Sequence, residues 1–384
     1  MRLYMAMFLV ALVGALLATP FARRTALRLD IVDRPGGRKA HHAPMPYLGG
    51  LAIYAGFVLF LIGVLLRQGH GVDSRTPLVQ ALAILGGATL MLLLGFLDDR
   101  YDLPPFTKLV GQLVAAAALV LSGIHFHFNH FPFLDIPVSM LWVLGITNAF
   151  NLLDNMDGLS VGTAAIGCCF FFLLALLQPT TQFLVAGMAA ALCGACLGFL
   201  YYNFNPARIF MGDAGALFLG FMLAMLGLKI NMNGFPNLHM VNFFVPVIVL
   251  GVPVFDTTLV TVSRIRRHVP VSRGGRDHTS HRLVLLGLTV REAVMTVYLA
   301  AGALGVAGLL LTRAGTESGF VLIALIIAAG VAAGYKLEQV YRAHTPAAVG
   351  QAGSGGQLDA PAGRTADTAA EERDAVVTAG RGDE

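Results

Sequence analysis

Carboxylates and carboxamides recur in this sequence at the ends of long apolar runs, where charged groups are costly and mark function by default. Gly95-Phe-Leu-Asp98-Asp99-Arg-Tyr-Asp102 places three acids within five residues, directly after one such run. Acids so close repel one another unless a cation neutralises them. Hard oxygen donors of this kind suit Mg²⁺, usually held by one or two carboxylates plus substrate phosphates. Asn148, Asn151, Asp154 and Asp157 follow at a strict spacing of three, which on a helix keeps neighbours on one slowly drifting face. Asp157-Gly158 is expected to end that helix. Asn203 opens Asn203-Phe-Asn205-Pro, and Gly212-Asp213-Ala-Gly215 sets one aspartate at the head of a further run, between glycines that let a ligand approach the backbone. Asp256 is another acid inside an apolar run, with a less clear role.

The cations fall between the same runs. One loop carries Asp33-Arg-Pro-Gly-Gly-Arg38-Lys39-Ala-His41-His42, and the longest carries Arg264, Arg266, Arg267 and then Arg276-Asp277-His278-Thr-Ser280-His281-Arg282. Lys and Arg on such loops suit phosphate binding. Each cluster alone has a plainer reading: a helix cap for Asp213, headgroup contacts for the basic loops. Together, carboxylates for a metal and cations for phosphates are the parts that phosphoryl transfer requires, because it depends on charge neutralisation and positioning.

The elements that must position these groups are membrane spans. Of 384 residues, 56% are apolar and 12% charged, against about 25% charged in soluble domains; mean hydropathy is +0.72. A spanning helix needs about 20 mostly apolar residues, and candidates lie near 3–20, 48–66, 79–97, 107–123, 134–150, 161–177, 182–200, 214–229, 242–262, 292–312 and 318–335. The predicted fold is therefore an all-α, polytopic transmembrane bundle of about eleven spans. The range 134–150 is the weakest, being short and opened by Pro132 and Pro137. The first is read as a span, not as a cleaved signal peptide. Lys and Arg concentrate on alternate loops, which by the positive-inside rule places the acid-bearing ends on the cytosolic side. The net charge of +4 then reflects topology, with no nucleic-acid partner. Residues 1–342 are expected to form one membrane domain. Residues 343–384, poor in large apolar side chains, are expected to be a disordered tail. The four cysteines lie inside spans and read as packing residues. His125-Phe-His127-Phe-Asn-His130, at a span boundary, reads as interfacial packing.

Arg38-Lys39-Ala-His41, Phe-Leu-Asp98-Asp99, Asn148-Ala-Phe-Asn151-Leu-Leu-Asp154 with Asp157-Gly158, and Phe210-Met-Gly-Asp213 together resemble the polyprenyl-phosphate N-acetylhexosamine-1-phosphate transferases. The likeness is greatest to the bacterial undecaprenyl-phosphate N-acetylglucosamine-1-phosphate transferases. It runs from about residue 30 to 290. It implies a multi-pass enzyme of the bacterial plasma membrane with a cytoplasmic active site and possible homodimers. The implied reaction joins a UDP-sugar to a polyprenyl phosphate, giving a polyprenyl-diphosphate sugar and UMP with Mg²⁺, or Mn²⁺ in its place. Carried over by position, Asp213 and Asp99 correspond to metal ligands, and Asp98, Asp99, Asp154 and Asp157 to catalytic positions. Arg38, Lys39, His41, Asn148, Asn151, Asn203, Arg276, His278, His281 and Arg282 correspond to substrate-binding positions. The family usually has His-x-His-His where this chain has His278-Thr-Ser280-His281, so one histidine contact is missing or replaced by Ser280, Arg276 or Arg282. The competing readings are a transporter, which predicts acids near the midplane and inverted repeats, and, within the family, the muramoyl-pentapeptide branch.

Overall fold

A computed structural model describes residues 1–33, 44–67, 75–128, 131–178, 182–230, 240–271 and 274–344. Arg38, Lys39 and His41, and residues 345–384 of the tail expected from 343, lie outside the described residues; residues 343 and 344 end the last helix.

The described chain is almost wholly helical. In order come α1 (Arg2–Arg28), α2 (Gly49–Arg67), α3 (Arg75–Tyr101), α4 (Pro105–Leu121), α5 (Asp135–Leu153), α6 (Leu159–Leu176), α7 (Phe183–Asn203) and α8 (Gly212–Lys229). Then follow α9 (Val245–Val249), α10 (Gly251–Arg266), the short α11 (Thr279–Leu285), α12 (Val290–Leu311) and α13 (Thr316–His344). Eight of these helices are long and apolar enough to cross a membrane. A ninth crossing arises if Val241–Val249 and Gly251–Arg266, bent by 79°, count as one broken span. Gly49–Phe60 and Pro105–Leu121 are shorter apolar helices. Each of the eleven apolar ranges thus coincides with helix, but length and composition support eight or nine crossings. The range taken as weakest gains a 3₁₀ turn at Pro132–Leu134 and reaches Leu153, which makes it a full-length span.

Helix α8 is the centre of the bundle. Every residue from Ala214 to Leu228 is buried, as expected of a helix that is apolar on all sides, and α2, α3, α5 and α6 pack around it. Close approach to its N-terminus depends on glycines. A Cβ on Gly50 would collide with the backbone of Gly215, and one on Gly95 with the backbone of Asp213 and Ala214. Gly95→Ala is therefore expected to destabilise the protein by about 1–3 kcal/mol through overpacking, although alanine has the higher helix propensity by about 1 kcal/mol. A detergent thermal-shift measurement that found Gly95→Ala more stable would show that α3 and α8 are not held this close.

A two-stranded ribbon, Val32–Asp33 against Met45–Pro46, precedes α2. Its second strand continues into hydrogen bonds with the segment leading into α8: the Phe210 N–H donates to Pro46 O, and the Gly49 and Gly50 N–H groups donate to Phe210 O and Met211 O. The start of α8 is thereby tied to α2 as well as α3.

Candidate active site

The acids converge at one end of the bundle, where α3 and α5 finish and α4 and α8 begin. The first N–H groups of any helix lack intrahelical partners, and at α8 a side chain from another helix satisfies them. Asp99 accepts hydrogen bonds from the N–H of Asp213 (2.8 Å) and of Ala214 (3.2 Å). Gly212, at φ +73°, brings the backbone against that carboxylate. Asp99 is thus a cap that fixes the position of Asp213, with both oxygens engaged. Asn151, on the last turn of α5, donates from Nδ2 to Asp213 Oδ1 at 2.8 Å.

Asp98 is buried, and its carboxyl lies within side-chain hydrogen-bonding contact of Asp213. Lys108 sits between them, on the first turn of α4, with Nζ 2.6 Å from Asp98 Oδ2 and 3.6 Å from Asp213 Oδ2. The Leu103 N–H donates to the other Asp98 oxygen. Sequence reasoning missed Lys108. The available signal was a lysine as the single charged residue of a largely apolar helix.

The stripe expected from 148 to 157 is not one helical face. Helix α5 ends at Leu153, with Asp154 as its C-cap, and Asp157 lies in the turn before α6. Gly158, at φ +75°, opens α6 in the left-handed conformation that glycine adopts without strain. Asp154 is half-buried, and its carboxylate has no hydrogen-bond partner among the described residues. Burial, with the neighbouring charges of Asp99 and Asp157, pushes its carboxyl up to about 7. Asp157 instead clips the following loop, accepting from Asn205 Nδ2 and the Ala207 N–H. Asn203 is a buried latch, accepting from the Gly158 N–H and donating to Ile209 O. Asn148 is paired with Gln112 of α4 through reciprocal amide bonds of 3.3 and 2.6 Å, which joins α4 to α5 behind the acids. Through these bonds the three polar residues hold loops and helices in place around the acids.

The histidine-bearing loop is organised by acids the sequence did not pair with it. Asp256, 1% exposed, accepts from the Thr279 N–H and lies 2.8 Å from His278 Nδ1. Ser280 Oγ donates to Asn155 Oδ1 at 2.6 Å, joining this loop to the turn that carries Asp154. His281 is held down at about 4, by burial first and then by the charges of His278 and Arg276, so it is a neutral imidazole at physiological pH. Arg276 is exposed.

Of the arginines expected to form a cationic surface for a diphosphate, Arg264, Arg267 and Arg282 are paired with acids of the protein itself, while Arg266 and Arg276 are exposed. Arg264, 2% exposed, makes a bidentate pair with Asp277 (3.0 and 2.7 Å), and Arg267 adds a third bond at 2.6 Å. Arg282 is fully buried against Glu338 of α13, the Asp277 carbonyl and the Tyr341 ring. The sequence expectation placed Arg282 among substrate contacts; here its guanidinium is committed to Glu338 and the Asp277 carbonyl. Burial alone would raise the Asp277 carboxyl, but Arg264 and Arg267 overcome it and hold it at about 2. The unfolded value is near 3.9. This pairing therefore contributes stability that is complete above about pH 4 and lost as pH falls towards 2. Asp277→Asn leaves Arg264 buried with a weakened partner and is expected to cost about 3–5 kcal/mol. A thermal-shift series against pH checks both statements: the variant should melt lower near neutrality and converge on the wild type in acid.

Acids outnumber cations in the inner cluster. Asp98, Asp99, Asp154 and Asp213 face Lys108 as the one cation within bonding distance among the described residues. An all-oxygen set with surplus negative charge fits a hard divalent cation such as Mg²⁺.

Comparison with known proteins gives the arrangement its context. The description "Glycosyl transferase family 4" matches residues 81–231, which include Asp98, Asp99, Lys108, Asn151, Asp154 and Asp213. The chain is 38% identical, over 76% of its length and 80% of the relative's, to the probable undecaprenyl-phosphate N-acetylglucosaminyl 1-phosphate transferase of Bacillus subtilis (strain 168). It is 33% identical, over 84% and 87%, to the decaprenyl-phosphate N-acetylglucosaminephosphotransferase of Mycobacterium tuberculosis (strain ATCC 25618 / H37Rv). It is 26% identical, over 84% and 88%, to the undecaprenyl-phosphate alpha-N-acetylglucosaminyl 1-phosphate transferase of Escherichia coli (strain K12). The chain belongs to glycosyl transferase family 4, alongside these polyprenyl-phosphate N-acetylglucosaminyl-1-phosphate transferases.

Proposed function

We propose that this multi-pass membrane enzyme transfers N-acetylglucosamine-1-phosphate from a UDP-sugar to a polyprenyl phosphate, giving a polyprenyl-diphosphate sugar and UMP. The observation that carries the reading is the contact between Asp98 and Asp213, bridged by Lys108 beside the capped N-terminus of α8. Acid surplus beside one lysine suits two phosphate-bearing substrates that a divalent cation brings together. A transporter reading is not favoured, because Asp98, Asp99, Asp154 and Asp213 gather at the ends of helices.

Asp213, with Asp98 beside it, would hold Mg²⁺, which when bound neutralises the sugar-nucleotide diphosphate and polarises its β-phosphorus. Asp99 acts on Asp213 through the helix backbone, as a positioning residue. Lys108 orients the Asp98 carboxylate and offers a positive charge to the incoming lipid phosphate. A lipid phosphate oxygen forms the new bond to the β-phosphorus, the bond from that phosphorus to the bridging oxygen breaks, and UMP departs with the bridging oxygen. His278, oriented by Asp256, and neutral His281 lie on the loop joined to the Asp154 turn and suit contacts to the nucleotide sugar. Arginine density on the alternate loops supports a cytosolic position for this end of the bundle, at a bacterial plasma membrane.

Purified protein in detergent, given undecaprenyl phosphate and each of several UDP-N-acetylhexosamines, tests the donor. UMP release that needs both lipid and UDP-N-acetylglucosamine, and that stops with EDTA, is expected. Release with UDP-N-acetylmuramoyl-pentapeptide in preference would overturn the assignment of the sugar.

A further inference from the structure

At the opposite end of the bundle from the acids, the loop between α4 and α5 gathers a different donor set. One ligand atom each from His125, His127 and Asp135 lie within 4.8 Å of one another, and the two imidazole ring centres are 4.4 Å apart. We infer that these three residues form a binding site for a zinc-class divalent transition metal, separate from the catalytic centre.

The local chain is built to hold these donors together. From His125 to Phe128 the side chains alternate. Phe126 is buried against Trp142, and Phe128 stacks on Phe243, which leaves His125 and His127 on the other side. The backbone is pinned to the first turns of α5. The Phe126 N–H donates to Ser139 Oγ at 2.8 Å, and the Phe128 N–H donates to Asp135 Oδ1 at 2.8 Å. Ser139 in turn donates to Asp135 O. Among the described residues, Asp135 keeps its second oxygen for another partner. His125 Nδ1 lies 2.8 Å from the Phe126 carbonyl oxygen. A carbonyl can only accept, so Nδ1 carries the proton and Nε2 keeps its lone pair. A backbone carbonyl fixing the tautomer in this way is the usual second contact of a metal-bound imidazole.

Two imidazoles and one carboxylate are a common zinc donor set, with a fourth position left for water. Ligands about 2.0–2.1 Å from a tetrahedral zinc stand ~3.4 Å apart, so closure on the metal needs only a modest turn of exposed His127. Nitrogen donors favour borderline metals over Mg²⁺, whereas the all-oxygen cluster at the other end has the reverse preference. The two sites therefore separate by metal chemistry as well as by distance along the helices.

The test uses full-length protein without a histidine tag, stripped with EDTA, returned to excess Mg²⁺ and titrated with Co²⁺. About one equivalent should give the intense visible bands of four-coordinate cobalt, displaced by Zn²⁺. His127→Ala should remove those bands while Mg²⁺-dependent transferase activity stays within about twofold of wild type. His127→Cys should restore binding with an added thiolate charge-transfer band. Bands that persist unchanged in His127→Ala, or no stoichiometric uptake by the wild type, would overturn the site.

Discussion

Asp213→Asn is expected to reduce turnover by on the order of 10³-fold, with little change in thermal stability. The asparagine keeps an Oδ1 to accept from Asn151 and keeps the backbone N–H that Asp99 caps. What disappears is one negative charge at the proposed metal position. Stabilisation of developing charge by a bound cation is worth several kcal/mol, and each 1.36 kcal/mol is a decade in rate. Measuring kcat and melting temperature together separates the two effects. A variant within tenfold of wild type would remove Asp213 from the centre of the reaction.

The second large effect concerns Lys108, and its sign differs for two quantities. Lys108→Met retains much of the bulk and removes the charge between Asp98 and Asp213. Turnover should fall by about 10²-fold, as for other positioned charges at reacting groups. The apparent affinity for Mg²⁺ should instead rise by about tenfold, because a cation 3.6 Å from Asp213 opposes a second one there. Unit charges about 4 Å apart interact by ~1 kcal/mol in water and about 4 kcal/mol near a protein surface. Lys108→Arg should recover part of the rate. A Mg²⁺ titration of activity for the three proteins reads both quantities. Unchanged Mg²⁺ dependence in Lys108→Met would mean that the lysine is only a packing partner of Asp98.

The difference between what could be read in the sequence and what could not follows from the range of the interactions. Apolar runs are local, so all eleven ranges fall on helix, and the acids that end or begin them were found at once. Which arginines face substrate was not readable. The positive-inside bias counts cations without saying which are buried, and Arg264, Arg267 and Arg282 turn out to surround Asp277 and Glu338. Pairings between distant positions were equally hidden: Asp256 with His278, Ser280 with Asn155, Asn148 with Gln112. The spacing of three from Asn148 to Asp157 misled because helical period alone does not locate a helix end. Asp154 and the left-handed Gly158 break the helix before the stripe is complete. Asp99 is the most instructive case. Adjacent to Asp98, it reads as a second ligand or catalytic acid, and nothing local shows that it also caps the N-terminus of α8.

The most direct test follows the phosphorus. UDP-N-acetylglucosamine labelled with ³²P at the β-phosphate would be incubated with the enzyme, undecaprenyl phosphate and Mg²⁺, and the organic-soluble product separated. Label should pass into the lipid product in equal amount to the UMP released, and both should fail without Mg²⁺. Label left in the aqueous phase as UDP, with unlabelled sugar on the lipid, would show glycosyl transfer without its phosphate and contradict phosphosugar transfer at Asp98 and Asp213.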